Sequence, residues 1–237
     1  MVTFEIIQQE QYFNIVKVVL EGGEVRTESG AMHYFVGDLE MEAKMPSVGG
    51  MLKSMFTSES AVKPTYKGTG ELFLEPSFKN YTVMELNNEE WILDKGAYVA
   101  SEISVTIGME KNTTLKGLFG GEGFFQTKVS GTGKVVISSP GPIHTIELKD
   151  NRLVVDGNFA VAREIGLDYK LEKSSKGIFG SMISGEGLVN TFSGTGKVMI
   201  APVPNSFNTL YSTITNQFSQ LDQKIDTLSK ISPNADK

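Results

Sequence analysis

The sequence predicts an all-β fold built from three tandem antiparallel repeats, and three observations support this prediction. A Gly-Thr-Gly phrase begins at Gly68, Gly131 and Gly194, so its copies lie 63 residues apart. Apolar and polar residues alternate around each phrase, as expected for strands with one buried face. No convincing helical pattern occurs before Pro204. Because a repeated supersecondary unit determines the architecture of a chain, we expect a sandwich or prism with approximate threefold symmetry.

The repeats are predicted to span residues 12–77, 78–140 and 141–203 as one domain, 1–203. Each opens with an apolar strand: Ile15–Leu20, Tyr81–Leu86 or Thr145–Leu148. A polar turn rich in Gly and Asn follows, and we expect it to reverse the chain because these residues tolerate the positive φ of hairpin turns. The predicted turns are Glu21–Glu24, Asn87–Glu90 and Lys149–Arg152. Residues 1–11 are predicted to add an edge strand.

The chain after Pro204 has a different pattern, which predicts an amphipathic helix over residues 204–230 and a frayed end over 231–237. Its large apolar residues are spaced alternately by four and three, the spacing of a heptad seam. They are Phe207, Tyr211, Ile214, Phe218, Leu221, Ile225 and Leu228. The helix either docks on its own β-domain or pairs with the tails of other copies. Aromatic residues at the a positions fit poorly in a parallel dimer, so we favour a trimer if the tail assembles.

Composition excludes several classes of function. The chain has no cysteine, which rules out disulfides, cysteine-ligated zinc and thiol nucleophiles. A net charge of −6 without a visible Lys/Arg cluster argues against general nucleic-acid binding. The start of the sequence lacks the pattern of a signal peptide, and no apolar run approaches the length of a spanning helix. We therefore expect a cytoplasmic protein.

The Gly-Thr-Gly-Lys phrases resemble phosphate-binding loops only superficially. Val135 and Val198 follow the lysines where such a loop has Ser or Thr, and the first copy has Glu71 in place of lysine. The following run is predicted to be a strand rather than a helix, so we expect the phrase to form turns and bulges.

Other candidates for chemistry are equally weak. His33 and His144 fall at different places in their repeats, which favours structural roles. Glu122 and Glu186 recur in Gly-Glu-Gly loops and are interpreted as solvated turn residues rather than a catalytic pair. The sequence therefore predicts no catalytic residue, no metal site and no cofactor.

The glycine-rich loops combine a flexible backbone with large apolar side chains. The candidate interaction residues are Leu118, Phe119, Phe124, Phe125, Ile178 and Phe179. If they are exposed, they mark contacts with a partner or a membrane surface. The alternative is that they fill the core from the rim of the sheet.

These loops and phrases together resemble a known family. The Gly-Leu-Phe-Gly-Gly-Glu-Gly run from Gly117, the Gly-Ile-Phe-Gly-Ser-Met run from Gly177 and Asp156-Gly157-Asn158-Phe159 resemble the altered-inheritance-of-mitochondria protein twenty-four family, in its bacterial branch. The resemblance covers about residues 10–203. It implies a fold like that of the tryptophan RNA-binding attenuation protein (TRAP-like) and homo-oligomerisation. It implies no catalytic residues, and the acidic charge argues against RNA binding.

The resulting hypothesis is a non-enzymatic, homo-oligomeric scaffold or interaction protein. One alternative is a peripheral membrane protein that inserts its glycine-aromatic loops. Another is a module that binds a small ligand between repeats.

Overall fold

The computed structural model describes residues 1–9, 13–43, 63–112, 124–156, 159–173, 188–203, 214–215 and 217–222. The chain divides into two compact units, Met1–Val203 and Pro204–Lys237. The described part of the first unit forms twelve strands joined in one sheet, with every pairing antiparallel, and contains no helix. The predicted all-β class is confirmed.

The strands are long, and several run through two of the shorter predicted segments. In chain order they are β1 (Val2–Gln9), β2 (Phe13–Thr27), β3 (Met32–Glu42), β4 (Thr65–Leu74), β5 (Asn80–Leu93), β6 (Tyr98–Glu102), β7 (Thr106–Asn112), β8 (Phe124–Ser139), β9 (His144–Asp156), β10 (Ala160–Glu164), β11 (Asp168–Lys173) and β12 (Leu188–Ile200). The main order across the sheet is β11-β12-β10-β5-β8-β6-β2-β4-β3. Off this path, β1 pairs with β2, β7 with β8 and β9 with β12. The predicted edge strand before residue 12 is confirmed as β1.

One pairing scheme occurs three times along the chain. The Gly-Thr-Gly phrases lie inside β4, β8 and β12, and these strands pair with β2, β5 and β9, respectively. On its other side, β4 pairs with the continuous strand β3. The strands β8 and β12 pair there with two shorter strands each, β6 with β7 and β10 with β11.

The predicted hairpin turns are wrong, because the long strands β2, β5 and β9 continue through all three segments. Positive φ is present where it was expected, at Gly22 (59°), Asn88 (55°) and Asp150 (48°). Each of these residues lies at or beside a register shift opposite a Gly-Thr-Gly phrase, so the extra residue forms a β-bulge. Gly and Asn favour a bulge for the same reason that they favour a turn.

The threonine of each phrase stabilises the bulge opposite it. The backbone amide of Gly22 donates a hydrogen bond to Thr69 Oγ1 at 3.0 Å. The amides of Asn88 and Asp150 donate in the same way to Thr132 and Thr195, both at 3.0 Å. The bulge role predicted for the phrase is confirmed, while its predicted turn is wrong.

Buried apolar residues form three clusters, one centred on each sequence repeat. The first cluster includes Val18, Leu20 and Leu72, and the second includes Trp91, Val129 and Ile137. The third is smaller and contains Leu148, Val155, Leu167, Phe192 and Val198.

The second unit is described over few residues. Residues 214–215 and 217–222 are helical. Ile214, Phe218 and Leu221 of the predicted seam are 43%, 64% and 53% exposed. Phe207, Tyr211, Ile225 and Leu228 lie outside the described residues. Within the described part of the chain, no helix has the length and apolar character needed to span a membrane.

Candidate interaction site

Adjacent sequence repeats are joined by two short strand pairings, which we call the internal junctions. At the first, β2 pairs with β6 through Val25↔Glu102, Arg26↔Ser101 and Thr27↔Ala100. At the second, β5 pairs with β10 through Trp91↔Glu164, Ile92↔Arg163 and Leu93↔Ala162. The two junctions use equivalent positions, because Val25 and Trp91 each lie three residues after the bulge residue of their strand.

The first internal junction is buried and polar at its centre. Thr27 and Ser101 are fully buried. The Tyr98 hydroxyl lies 3.0 Å from Ser101 Oγ and donates to the Arg26 carbonyl oxygen at 3.4 Å. Burial raises the pKa of Tyr98 well above its ordinary value, with the Ser101 hydrogen bond acting in the opposite direction.

A pair of charged residues covers the same tyrosine. Lys63 forms an ion pair with Glu28, which directly follows β2. The Lys63 ammonium also lies 4.6 Å from the centre of the Tyr98 ring, within the range of a cation–π contact. Buried side chains, the ion pair and the cation–π contact therefore all stabilise the first internal junction.

The second internal junction buries an arginine. Arg163 is 8% exposed, and its guanidinium carbon lies 4.7 Å from the centre of the Tyr169 ring. The Tyr169 hydroxyl donates to Asn190 Oδ1 at 2.8 Å. Burial lowers the pKa of Arg163 and raises that of Tyr169. Stacking on the ring is a favourable contact for a partly desolvated guanidinium.

A glutamate ends the shorter strand at both internal junctions. Glu102 Oε2 accepts a hydrogen bond from the Lys134 amide at 2.9 Å. Glu164 Oε2 accepts one from the Lys197 amide at 3.1 Å. In the first repeat the equivalent residue is Val36, which is part of the uninterrupted strand β3.

The third pair of equivalent strand edges has no pairing partner among the described residues. One edge is Tyr34–Val36 of β3, which pairs only with β4 there, and the other is Leu153–Val155 of β9, which pairs only with β12. We call these the β3 edge and the β9 edge. Four of their side chains are strongly exposed: Tyr34 45%, Phe35 39%, Val36 61% and Val154 47%.

Most of the equivalent residues at the internal junctions are buried. Ala100 and Ser101 are fully buried, and Ala162 and Arg163 are 4% and 8% exposed. Ile92, the equivalent of Val154, is 1% exposed. Pairing between repeats therefore buries the positions equivalent to Tyr34 and Phe35, while Glu102 and Glu164, the equivalents of Val36, are half-buried.

The predicted interaction residues fall largely outside what the structure describes. Leu118, Phe119, Ile178 and Phe179 lie outside the described residues. Phe124 and Phe125 begin β8, where their backbone pairs with the end of β7. Glu122 and Glu186 also lie outside the described part of the chain.

The remaining predicted candidates are surface features of strands. His33 lies on β3 and His144 begins β9, and both are exposed. The described residues hold no group of three or more His, Cys, Asp or Glu placed to bind a metal. Glu71 and Lys197, which follow the first and third Gly-Thr-Gly phrases, form ion pairs: Lys17 Nζ lies 2.6 Å from Glu71 Oε1, and Lys197 Nζ lies 3.7 Å from Glu164 Oε1.

The β3 and β9 edges were not predicted as sites. The available signal was an apolar run, Tyr34 to Val36, at a position where the later repeats have Ala, Ser or Arg, and Glu. Recognising it requires the register between repeats, which involves residues far apart in the chain.

Comparison with known proteins agrees with the family resemblance. The family described as Mitochondrial biogenesis AIM24 matches residues 4–203. An uncharacterized protein of Streptococcus pyogenes serotype M6 is 31% identical over 207 residues, which cover 82% of this chain and 83% of that protein. The X-ray crystal structure of a Streptococcus pyogenes protein superposes with a TM-score of 0.69 at 26% identity, covering 92% of this chain and all of that chain.

Proposed function

The chain belongs to the AIM24 family, and we propose that it is a non-enzymatic scaffold that assembles into a homo-oligomer. The observation that carries this proposal is the exposed apolar surface of the β3 edge, formed by Tyr34, Phe35 and Val36. A strand edge with unpaired backbone groups and large apolar side chains favours association, and soluble proteins usually protect such edges. A self-assembled state provides that protection.

We further propose that the three sequence repeats form a TRAP-like, pseudo-threefold body, with a trimer as the assembled state. The recurrence of one pairing scheme at three places supports the first part. The exposed Ile214, Phe218 and Leu221 support a role of the tail in assembly. A short amphipathic helix is marginally stable alone, so its apolar seam requires a partner surface.

Light scattering on the full chain tests the assembly. We expect the mass of a trimer, and Phe218→Asp should lower that mass while the β-domain keeps its circular dichroism spectrum. Truncation after Pro204 should have the same effect. A wild-type mass of one chain contradicts the proposal. If both variants keep the oligomer mass and lose thermal stability, the seam is covered within its own chain and the tail has no role in assembly.

The non-enzymatic part has a separate test. Screens for hydrolase, transferase and redox turnover are expected to return no activity. Robust turnover that one polar substitution abolishes would contradict it. Membrane insertion through the glycine-aromatic loops depends on side chains outside the described residues.

A further inference from the structure

We propose that the β9 edge of one copy pairs with the β3 edge of a second copy, in the register of the internal junctions. The proposal rests on the proposed self-assembly and identifies its interface. The partner is a second copy of this chain, bound head to tail. The two surfaces involved are different, so the contact is heterologous.

The register follows from the internal junctions. The first junction pairs Arg26 with Ser101, and the second pairs Ile92 with Arg163. Ser101 and Arg163 in turn pair with Val135 and Val198, whose equivalent in the first repeat is Leu72.

The residue that pairs with Leu72 is Phe35. Val154 lies four residues after the bulge residue Asp150, as Ile92 lies four after Asn88. The predicted pairs between copies are therefore Leu153 with Val36, Val154 with Phe35, and Val155 with Tyr34.

Flanking hydrogen bonds extend the same register. At the first internal junction the Glu28 amide donates to the Val99 carbonyl at 2.8 Å. At the second the Asp94 amide donates to the Val161 carbonyl, also at 2.8 Å. The equivalent bond between copies runs from the Asp156 amide to the His33 carbonyl.

The composition of the core clusters supports a second copy pairing with the β9 edge. The first cluster includes Val99 and Ala100 from the second repeat, and the second includes Val161 and Ala162 from the third. The third cluster contains only residues of its own repeat among those described. The residues that would complete it by the same rule are His33 and Tyr34, which are exposed on β3.

Pairing between copies also explains why the edges carry large apolar side chains. At the internal junctions the positions of Phe35 and Val36 hold Ser101 with Glu102, or Arg163 with Glu164. Glu102 and Glu164 cap the backbone of their own repeat and end the strand. Phe35 and Val36 have no carboxylate to form such a cap, and β3 stays extended there with no second pairing partner among the described residues. A heterologous contact of this kind closes into a ring if the rotation between copies permits.

Disulfide trapping tests the register directly, because the chain has no native cysteine. Phe35→Cys and Val154→Cys are made as separate full-length proteins, then mixed and oxidised mildly. Opposed residues of an antiparallel pair have Cα atoms about 5 Å apart, which a disulfide can bridge. We expect the mixture to give about tenfold more covalent dimer than either variant oxidised alone.

Met41→Cys provides the matched control. It is an exposed residue of the same strand, six positions from Phe35 and outside the proposed register. Mixed with Val154→Cys, it should give no more covalent dimer than either protein alone.

Each alternative gives a distinct result. Efficient self-dimerisation of Phe35→Cys indicates a two-fold, isologous contact and overturns the proposal. A protein that carries both Phe35→Cys and Val154→Cys is oxidised as well, and a monomeric intrachain disulfide in it would mean that the two edges meet within one chain, which also overturns the proposal. If wild type is oligomeric and the mixture forms no dimer, this interface is wrong while the proposed assembly stands. If wild type has the mass of one chain and the mixture forms no dimer, both proposals fail.

Discussion

The strand that pairs with the other side of each Gly-Thr-Gly strand takes two forms, split or continuous. In the second and third repeats it is split into β6 with β7 and β10 with β11, and Glu102 or Glu164 caps the phrase opposite. In the first repeat β3 runs without interruption from Met32 to Glu42. The short strands β6 and β10 pair with the preceding repeat and are largely buried, whereas Tyr34, Phe35 and Val36 of β3 are exposed. A buried junction and a free edge thus arise from the same pairing scheme.

The largest expected effect is a loss of stability when alanine replaces the first glycine of a Gly-Thr-Gly phrase beside the continuous or the split strand. A Cβ added at Gly68, whose φ is +134°, would overlap the Asp38 carbonyl oxygen of the continuous strand. At Gly194, φ +115°, the nearest atom is Leu167 Cδ2 at 3.8 Å. Gly68→Ala should therefore lower the free energy of unfolding by more than about 3 kcal/mol, and Gly194→Ala by about 1–3 kcal/mol from backbone strain alone.

Urea denaturation of the two variants measures this difference. Both substitutions place alanine at positive φ, so each is a control for the backbone strain of the other. Equal losses would mean that β3 moves away from β4 at little cost, and that its continuity is not what constrains Gly68.

A smaller effect is expected at the first internal junction, where Tyr98 makes the stability of the fold depend on pH. Because burial raises the pKa of Tyr98, the folded state keeps this proton at pH values where the unfolded chain has lost it. Stability is therefore unaffected by this group below about pH 10 and falls above it, by up to about 1.4 kcal/mol per pH unit. Tyr98→Phe should remove that part of the alkaline slope.

The variant is compared with wild type by thermal denaturation between neutral pH and the alkaline range. Partial or full burial also raises the pKa values of Tyr66, Tyr81 and Tyr169, so some slope should remain in the variant. The loss of the Ser101 contact should cost about 1 kcal/mol at neutral pH. A stability difference that stays constant with pH would show that Tyr98 ionises equally in both states.

The sequence predicted the class of fold because strand periodicity and the repeated phrase are local signals. The β1 edge strand and the bulge role of the phrase were predicted for the same reason. The hairpin turns were predicted wrongly because Gly22 and Asn88 supply a positive φ that serves a bulge and a turn equally well. Only the pairing partner, here the threonine of a distant phrase, distinguishes the two.

The candidate interaction site was not predictable in the same way. Phe35 and Val36 belong to an apolar run that, in the sequence alone, is typical of a half-buried strand. Their exposure depends on whether β9 pairs with β3, a contact between residues more than a hundred positions apart. The sequence directed attention to the glycine-aromatic loops instead, because apolar residues among glycines are visible without knowledge of register.

The smallest expected effect is on the hydrogen bond between threonine and bulge amide that all three repeats share. Thr69→Val, Thr132→Val and Thr195→Val each remove the hydroxyl that accepts a bulge amide at 3.0 Å, while keeping a β-branched side chain. Since these bonds lie at the surface, each variant should lose about 0.5–1 kcal/mol, measured by urea denaturation. Equal losses are expected because the bulges are equivalent even though the neighbouring strands are not. A much larger loss at Thr69 would mean that the bulge of the first repeat also supports β3, and that the free edge and the bulge are energetically coupled.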